Sequence, residues 1–561
     1  MSSENKLASC IPDAKNISLF FLVAAASFLC FLPTLNNGFL YTWDDGVYIV
    51  YNDNLSKSPL ELVRWAFSTF YADYWAPLTW LSLAMDRAVW GLNPAGYHLT
   101  NTLLHAMNAG LFFLLCLSLF KRYLSVHPVA DTTSTVLIND RPIYCAFLAA
   151  LFFAIHPLRV ESVAWLSERK DVLSFFFGIA AVLLYVRYTE DAEARSISSG
   201  NNPAFMSSKY YWLSAASLGL SLLSKPMFVT LPIVLLVLDW FPLKRLQLHA
   251  HKGVLLEKAP FLLLSGMASV ITTLVHSSTL VPVELSPIST RVLVAGKAVI
   301  SYLRLTMWPA NLNPFSLHPG VIQGMGLEYG MPLLLFMTIS VCCALSVKRL
   351  PVLMASWLIY VITLFPVLGL VQGGLTDIAD RFTYVPGLPL ALLTALGITT
   401  IIAKLSASRT AVIIISAATA LLLLTASYLT VRQISHWKDD VTLWSRAIDA
   451  KPHSSGRAYY QRAKGYALKG DYRNALTDIN EAIAIAAQKK LREMFNLYRE
   501  RARILRNLGD LDGAIADYTR ALSSDTSPSR SLYYRERGKL YLDIGRPDLA
   551  NEDFKMADPG R

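Results

Sequence analysis

The chain changes character once, near residue 430. Before that point it is a succession of long apolar runs. After it, the sequence is polar and charged through to residue 561. About 20 consecutive apolar residues, wound as a helix, cross the ~30 Å hydrocarbon layer of a bilayer. Runs at or near that length are 17–35, 98–120, 143–157, 171–187, 210–224, 226–240, 259–276, 329–347, 351–370, 385–403 and 410–430. In hydrocarbon the backbone must satisfy its own hydrogen bonds, so such a chain is helical. The expected fold class is all-α: a polytopic membrane bundle of about eleven spans over residues 1–435, then a separate domain over 436–561.

Composition agrees with a membrane protein. Apolar residues make up 54% and charged residues 16%, against ~25% charged in an ordinary soluble domain. The net charge of +11 does not point to nucleic acid, because no five or six like charges are consecutive. Lys121, Arg122, Arg187, Lys244, Arg245, Lys252, Lys258, Lys348, Arg349, Lys404 and Arg409 cluster at helix ends. Placing the N-terminus in the cytoplasm puts all of them inside, as the positive-inside rule requires. The loops 36–96, 158–170, 277–328 and 371–384 and the polar tail then lie outside. The stretch 291–307 carries Arg291, Lys297 and Arg304 and is expected to lie along the interface as an amphipathic helix. The first run has no small-residue cleavage site and reads as a retained helix. The six cysteines, Cys10, Cys30, Cys116, Cys145, Cys342 and Cys343, form neither a disulfide framework nor a metal spacing. The short loops suggest a bacterial inner membrane, with the tail in the periplasm.

The tail repeats itself. GRAYYQRAKGYALKGDYRNALTDINEAI (456–483), FNLYRERARILRNLGDLDGAIADYTRAL (495–522) and SLYYRERGKLYLDIGRPDLANEDFKMAD (531–558) align. Each has an aromatic at its fourth position (Tyr459, Tyr498, Tyr534) and a small residue at its eighth (Ala463, Ala502, Gly538). Each closes its first helix with a glycine (Gly470, Gly509, Gly545). A period near 34 residues with this pattern is the signature of a TPR α-solenoid. WKDDVTLWSRAIDAKP (437–452) reads as a further half-repeat that docks the array on the last span. TPR arrays offer a surface to a peptide or protein ligand.

Three outer segments carry candidate chemistry. The first loop, NNGFLYTWDDGVYIVYNDNL, presents Asp44 and Asp45 just after a membrane helix. A carboxylate there can take a proton from a hydroxyl or help to hold a divalent cation, and it can also be a solvated pair in a turn. No metal site is readable, and a cofactor is not specified. On the second long helix His98, Asn101, His105 and Asn108 recur at i, i+3, i+7 and i+10, on one face. Such residues in a membrane helix either serve function or bond neighbouring helices. The segment AIHPLRVESVAWLSERKDVL crowds His156, Arg159, Glu161, Glu168, Arg169, Lys170 and Asp171 between apolar runs. Cations beside a membrane suit a lipid-linked phosphate. Lys225, between two short apolar helices, and Arg381 with Tyr384, in TDIADRFTYVP, are further candidates.

WDD after the first helix, PLTWLSLAMDRAVWGLNPAGYHLTNTLLHAMNA, HPLRVESVAWLSERKDVL, LLSKPMFVTLPIVLLVLDW and ADRFTYVP, in that order and followed by TPRs, resemble the transmembrane and TPR repeat-containing proteins and their bacterial relatives. The resemblance covers almost the whole chain. It implies a GT-C type glycosyltransferase, similar to the protein O-mannosyltransferases. Such an enzyme moves a sugar from a polyprenyl-phosphate donor, with inversion, to a hydroxyl of a protein or lipid acceptor on the outer face. The acidic residue of the first outer loop is then the catalytic base. Here that is Asp44 or Asp45, with Glu161 as a further carboxylate. Arg159, Arg169, Lys170, Lys225 and Arg381 become candidates for the donor phosphate, and His98, His105, His156 and Tyr384 line the substrate site. The tail departs from the family in being short, with three full repeats and one partial.

Two other functions compete. A non-catalytic scaffold for envelope assembly would need the repeats but not the carboxylates. A transporter would show inverted repeats with matching helix breaks, and the sequence offers one break, at Lys225-Pro226.

Overall fold

The computed structural model describes residues 14–126, 135–199, 205–246, 251–277, 281–282, 284, 286–318, 322, 326–370, 376–453, 455–488, 494–524 and 530–558. Cys10 lies outside them, as does the start of the 371–384 loop. Among the described residues the chain is helical, with two isolated β-bridges and no strand. It divides into two units. One comprises Met1–Gly38, Tyr48–Leu312 and Ser316–Ser435; the other comprises Phe39–Val47, Asn313–Phe315 and His436–Arg561.

The first unit is a bundle of apolar helices. Among the described residues, seven are long and apolar enough to cross a bilayer: Ala14–Asn36, Pro94–Ser125, Leu166–Ser196, Lys252–Val275, Leu327–Ser346, Gly387–Lys404 and Arg409–Ser435. The protein is therefore a membrane protein. The face of Leu327–Ser346 shows why: none of its side chains is buried, and Met331, Leu334, Leu335, Met337, Val341 and Leu345 are all exposed. An apolar surface of that extent needs lipid or a partner over it.

Four of the eleven expected runs are not long straight helices. The run at 143–157 becomes a pair, Asp140–Ala154 and Pro157–Ala164, bent by 57°. Pro157 has no N–H to continue the helix and disfavours helical geometry in the residue before it. Together the pair makes an eighth span at most. Residues 210–224 form a 16-residue helix, Lys209–Ser224, and Pro226–Trp240 and Pro351–Val367 are shorter apolar helices.

The stretch expected at the interface is the helix Ile288–Met307, and half of it is packed inside the bundle. Ala295, Ala298, Val299 and Tyr302 are buried in one cluster with Trp357, Tyr360 and Leu364. Its cations are accommodated locally. Arg291 donates to the Ser286 and Val281 carbonyls at 2.9 and 2.8 Å, and Lys297 pairs with Glu328 at 2.6 Å.

The second unit holds the repeats as helix pairs, Gly456–Leu468 with Tyr472–Gln488, Met494–Asn507 with Leu511–Ser524, and Arg530–Asp543 with Pro547–Ala557. Gly470, Gly509 and Gly545 take φ of +78°, +85° and +74° at the turns, a region that favours glycine. Ala463, Ala475, Ala482, Ala502, Ala514, Ala521 and Ala550 are fully buried where the helices meet. An arginine–aspartate fork recurs in each pair. Arg462 grips Asp478 at 2.7 and 2.8 Å, Arg501 grips Asp517 at 2.6 and 2.8 Å, and Arg537 grips Asp553 at 2.8 and 2.7 Å. Two parallel bonds to an ionised acceptor fix both distance and angle between the helices.

These forks give a stability prediction. Asp517 is 1% exposed, so Asp517→Ala leaves the Arg501 guanidinium uncompensated, at a cost of about 3 kcal/mol. Limited proteolysis of the full chain should then cut within residues 494–558 far sooner than in the unaltered protein. Asp548→Ala, which removes an exposed partner of Arg546, should leave the rate unchanged.

Candidate functional site

Six charged side chains meet inside the first unit, contributed by three separate stretches of sequence. Glu168 is the hub. Lys225 Nζ lies 2.8 Å from its Oε2, and Arg381 Nε and Lys170 Nζ lie 3.4 and 3.5 Å from its Oε1. Lys225 also reaches Asp171 Oδ1 at 2.6 Å, and Ser162 Oγ donates to the other oxygen of Asp171 at 3.0 Å. Arg381 binds Glu161 through its guanidinium, and its backbone N–H donates to Glu161 Oε2 at 3.0 Å. Three carboxylates face three cations. The side chains of Glu161, Glu168, Asp171, Lys170 and Lys225 are 1–7% exposed, and Arg381 is the most open at 15%.

Aromatic rings close the cluster. Lys170 Nζ sits 4.4 Å from the Tyr74 ring centroid and 4.9 Å from that of Tyr48. Arg381 lies 5.4 Å from the Trp165 ring and 4.8 Å from that of Phe382. Burial works against the Arg381 charge, but Glu161 and Glu168 outweigh it, and its pKa is raised above the ordinary arginine value. A buried array of paired charges adds little net stability, because desolvation consumes most of the attraction. Ionisable groups gathered inside a membrane bundle are a mark of function.

The polar face of the Pro94–Val126 helix supports this cluster by bonding carbonyls around the helix breaks. His105 Nε2 meets the Ala154 carbonyl at 3.0 Å, where one half of the bent pair ends. Asn101 donates to the Val163 carbonyl at 3.1 Å, where the other half ends, and Asn108 donates to Val172 O at 2.9 Å. Terminal helix carbonyls lack a partner of their own. His105 Nδ1 also meets the Tyr384 hydroxyl at 2.7 Å. His156 accepts from the Leu158 N–H at 3.2 Å and meets Thr306 O at 3.0 Å, capping the turn after the bend. His98 is buried beside the Asn37–Gly38 backbone.

The remaining cations sit apart from the hub. Arg169 is held by Asp86 at 2.5 Å, Ser82 at 2.7 Å, the Tyr97 carbonyl at 3.1 Å, and Asn101. Arg159 is 2% exposed. It donates to the Thr383 carbonyl at 2.6 Å and lies 5.1 and 5.7 Å from the rings of Phe153 and Tyr384. That bond holds the Asp380–Thr383 turn, which carries Arg381. Gly387 packs directly on the Arg159 guanidinium.

Asp44 and Asp45 belong to the second unit. There Thr42 donates its N–H and hydroxyl to Asp440 at 2.9 and 2.6 Å, and Trp43 stacks on Trp444 with centroids 4.8 Å apart. Burial raises the Asp440 carboxyl, and the bonds from Thr42 and Tyr41 pull it back only in part. Asp45 is fully buried and accepts from the Leu40 N–H at 3.0 Å, whereas Asp44 is half-buried. In the sequence, Glu168 and Asp171 stand out only as part of a charged run. Their pairing with Lys225, more than fifty residues away, had no local signal. Asp440 lay in the half-repeat, with nothing to mark it as the partner of Thr42.

Residues 496–528 match the tetratricopeptide repeat model. Over 242 residues, 40% of the chain, the sequence is 31% identical to human protein O-mannosyl-transferase TMTC2. Over 539 residues, 87% of the chain, it is 26% identical to human protein O-mannosyl-transferase TMTC1. The chain is a relative of the TPR-bearing protein O-mannosyl-transferases. The matches span 24% of the length of the TMTC2 protein and 56% of that of TMTC1. A match of 27% identity over 192 residues, 32% of the chain and 20% of the relative, extends the likeness to Drosophila melanogaster Tmtc3.

In this relative of those proteins, an alanine at 387 would place its β-carbon on the Arg159 guanidinium. Gly387→Ala should cost about 1–3 kcal/mol, read as a lower thermal unfolding midpoint in detergent. Gly397→Ala, with open space around it, should not lower the midpoint.

Proposed function

We propose that this protein is an inverting glycosyltransferase of the membrane, moving a sugar from a polyprenyl-phosphate-linked donor to a hydroxyl of a protein or lipid acceptor. Mannose is the sugar suggested by the names of the relatives. The observation that carries the reading is the buried cluster of Glu161, Glu168, Lys170, Asp171, Lys225 and Arg381 in a chain related to those transferases.

In this scheme Asp44 accepts the proton of the acceptor hydroxyl as its oxygen attacks the anomeric carbon. The bond from that carbon to the phosphate oxygen breaks, and the lipid phosphate leaves with the electron pair. Asp45, tied to the Leu40 N–H, holds the turn. Arg381, Lys170 and Lys225 hold the phosphate, with Glu161, Glu168 and Asp171 fixing their positions between turnovers. Fixed cations aimed at a developing negative charge need no reorganisation during the step, and a low surrounding dielectric strengthens them. Arg159, His105 and Tyr384 keep the Arg381 turn in place, Arg169 and Asn101 brace the helix beside it, and His98 and His156 complete the surrounding packing. The proposed location is a bacterial inner membrane, with the repeats in the periplasm and presenting the acceptor.

The test is transfer of labelled sugar from a polyprenyl-phosphate donor by the full chain in nanodiscs. Asp44→Asn should lower the rate by about 100-fold or more, the usual weight of a general base, with thermal stability unchanged. Full activity in the Asp44→Asn, Asp45→Asn double variant overturns the reading and favours a non-catalytic TPR scaffold.

A further inference from the structure

Thr42 gives all its hydrogen-bonding groups to the repeat domain. Its N–H and hydroxyl donate to Asp440 Oδ1 at 2.9 and 2.6 Å. The hydroxyl also accepts from Trp444 Nε1 at 2.8 Å, and the carbonyl accepts from Gln461 Nε2 at 2.6 Å. One residue earlier, the Tyr41 N–H donates to Asp440 Oδ2 at 3.1 Å. One residue later, Trp43 stacks on Trp444, with the rings of Trp437 and Phe315 centred 6.4 and 6.3 Å away. The three residues that precede Asp44 are thus held by the half-repeat helix Asp440–Ala450 and the first repeat helix Gly456–Leu468.

Asp440 is not needed to start its own helix. Asp439 does that: its carboxylate accepts from the Thr442 N–H at 2.9 Å and pairs with Lys469 at 2.8 Å. Asp440 instead is 5% exposed and forms no ion pair among the described residues. Its bonds come from Tyr41 and Thr42. A carboxylate buried on neutral donors costs free energy, and the fold accepts that cost at the turn leading into Asp44. The first repeat helix closes over the same carboxylate. A β-carbon at Gly465 would lie 2.9 Å from that of Asp440, so only glycine lets the helix approach this far.

We propose that Asp440 is a positioning residue for Asp44, fixing the backbone of residues 41 and 42 so that the Asp44 carboxylate is presented to the acceptor hydroxyl. The inference rests on the reading of Asp44 as the group that takes the acceptor proton. It gives the half-repeat a task that the repeat pattern does not specify. The segment Phe39–Val47 and the repeats belong to one unit, so the base is carried by the same body as the surface that presents the acceptor.

The experiment measures steady-state transfer by the full chain in nanodiscs, with labelled mannosyl polyprenyl phosphate as donor and a serine- and threonine-rich peptide as the acceptor probe. It reads kcat and the donor KM separately in Asp44→Asn, Asp440→Ala and the double variant. Misplacing a reacting group costs rate and not donor binding, so Asp440→Ala should lower kcat by about tenfold or more and leave the donor KM unchanged. Asp440→Asn keeps an oxygen toward Thr42 but turns an amide toward the Tyr41 N–H. It should fall between the alanine variant and the unaltered chain, and it replaces the alanine variant if that protein does not fold. The double variant decides the matter. Residues that act as one unit are not additive, so it should turn over at the rate of Asp44→Asn alone. Asp449→Asn, exposed near the end of the same helix, should turn over at the unaltered rate. An unaltered kcat in both Asp440 variants, or a double variant slowed by the product of the two single effects, would overturn the positioning role and leave the transfer reading standing. An unaltered rate in Asp44→Asn, or no transfer by the unaltered chain, would overturn both.

Discussion

The first unit is organised around Glu168. It is 2% exposed, and three cations, the neighbouring Lys170 and two from distant stretches of chain, converge on its two oxygens. An unpaired carboxylate in that setting would be prohibitive, so Lys170, Lys225 and Arg381 must be delivered to it. Their delivery dictates much of the local architecture. The break at Lys225-Pro226 brings an ammonium inward between two short helices, and the Asp380–Thr383 turn brings a guanidinium from late in the sequence. An array of compensated charges contributes little to stability, yet this one constrains many elements, a pattern that marks candidate functional sites.

Breaking helices inside a bundle frees carbonyls, and the structure answers this from one place. Asn101 and His105, on the face of a single long helix, meet the freed carbonyls of Val163 and Ala154, and Asn108 on the same face donates to the Val172 carbonyl in the first turn of the helix that follows. The same face touches Tyr384, and so reaches the turn that carries Arg381. The irregular backbone around 155–168 is thereby buried in protein, the condition under which a membrane tolerates it. The polar stripe and the charge cluster form one construction, with the stripe fixing the backbone from which the charges project.

The helical membrane fold and the repeats were legible because their signals are local: apolar length for one, a fixed period of small residues and glycines for the other. The straightness of the spans was not. Pro157 reads as the end of a run, but whether the chain bends or turns back there depends on His156, Asn101 and His105 supplying its missing bonds. The partners of the 291–307 helix were no more legible. Arg291 and Lys297 look unsuited to a bundle until the Ser286 carbonyl and Glu328 are seen beside them. At the candidate site the residue types were readable, but the grouping was not. Arg169 and Lys170 are adjacent in sequence, yet Arg169 is spent on Asp86 while Lys170 enters the cluster, because helical geometry sends consecutive side chains in different directions. In the WDD motif, Asp44 and Asp45 look equivalent, but Asp45 is fully buried and Asp44 half-buried.

The central claim is that the cluster around Glu168 exists to hold an anionic group. It is tested most directly by titrating the full chain with a polyprenyl phosphate bearing no sugar, following the fluorescence of Trp165, which lies over Arg381, in a background with the other tryptophans replaced. The account predicts saturable binding that falls by about tenfold or more in Arg381→Gln, with the helical content unchanged. Affinity that is the same in both proteins would contradict it.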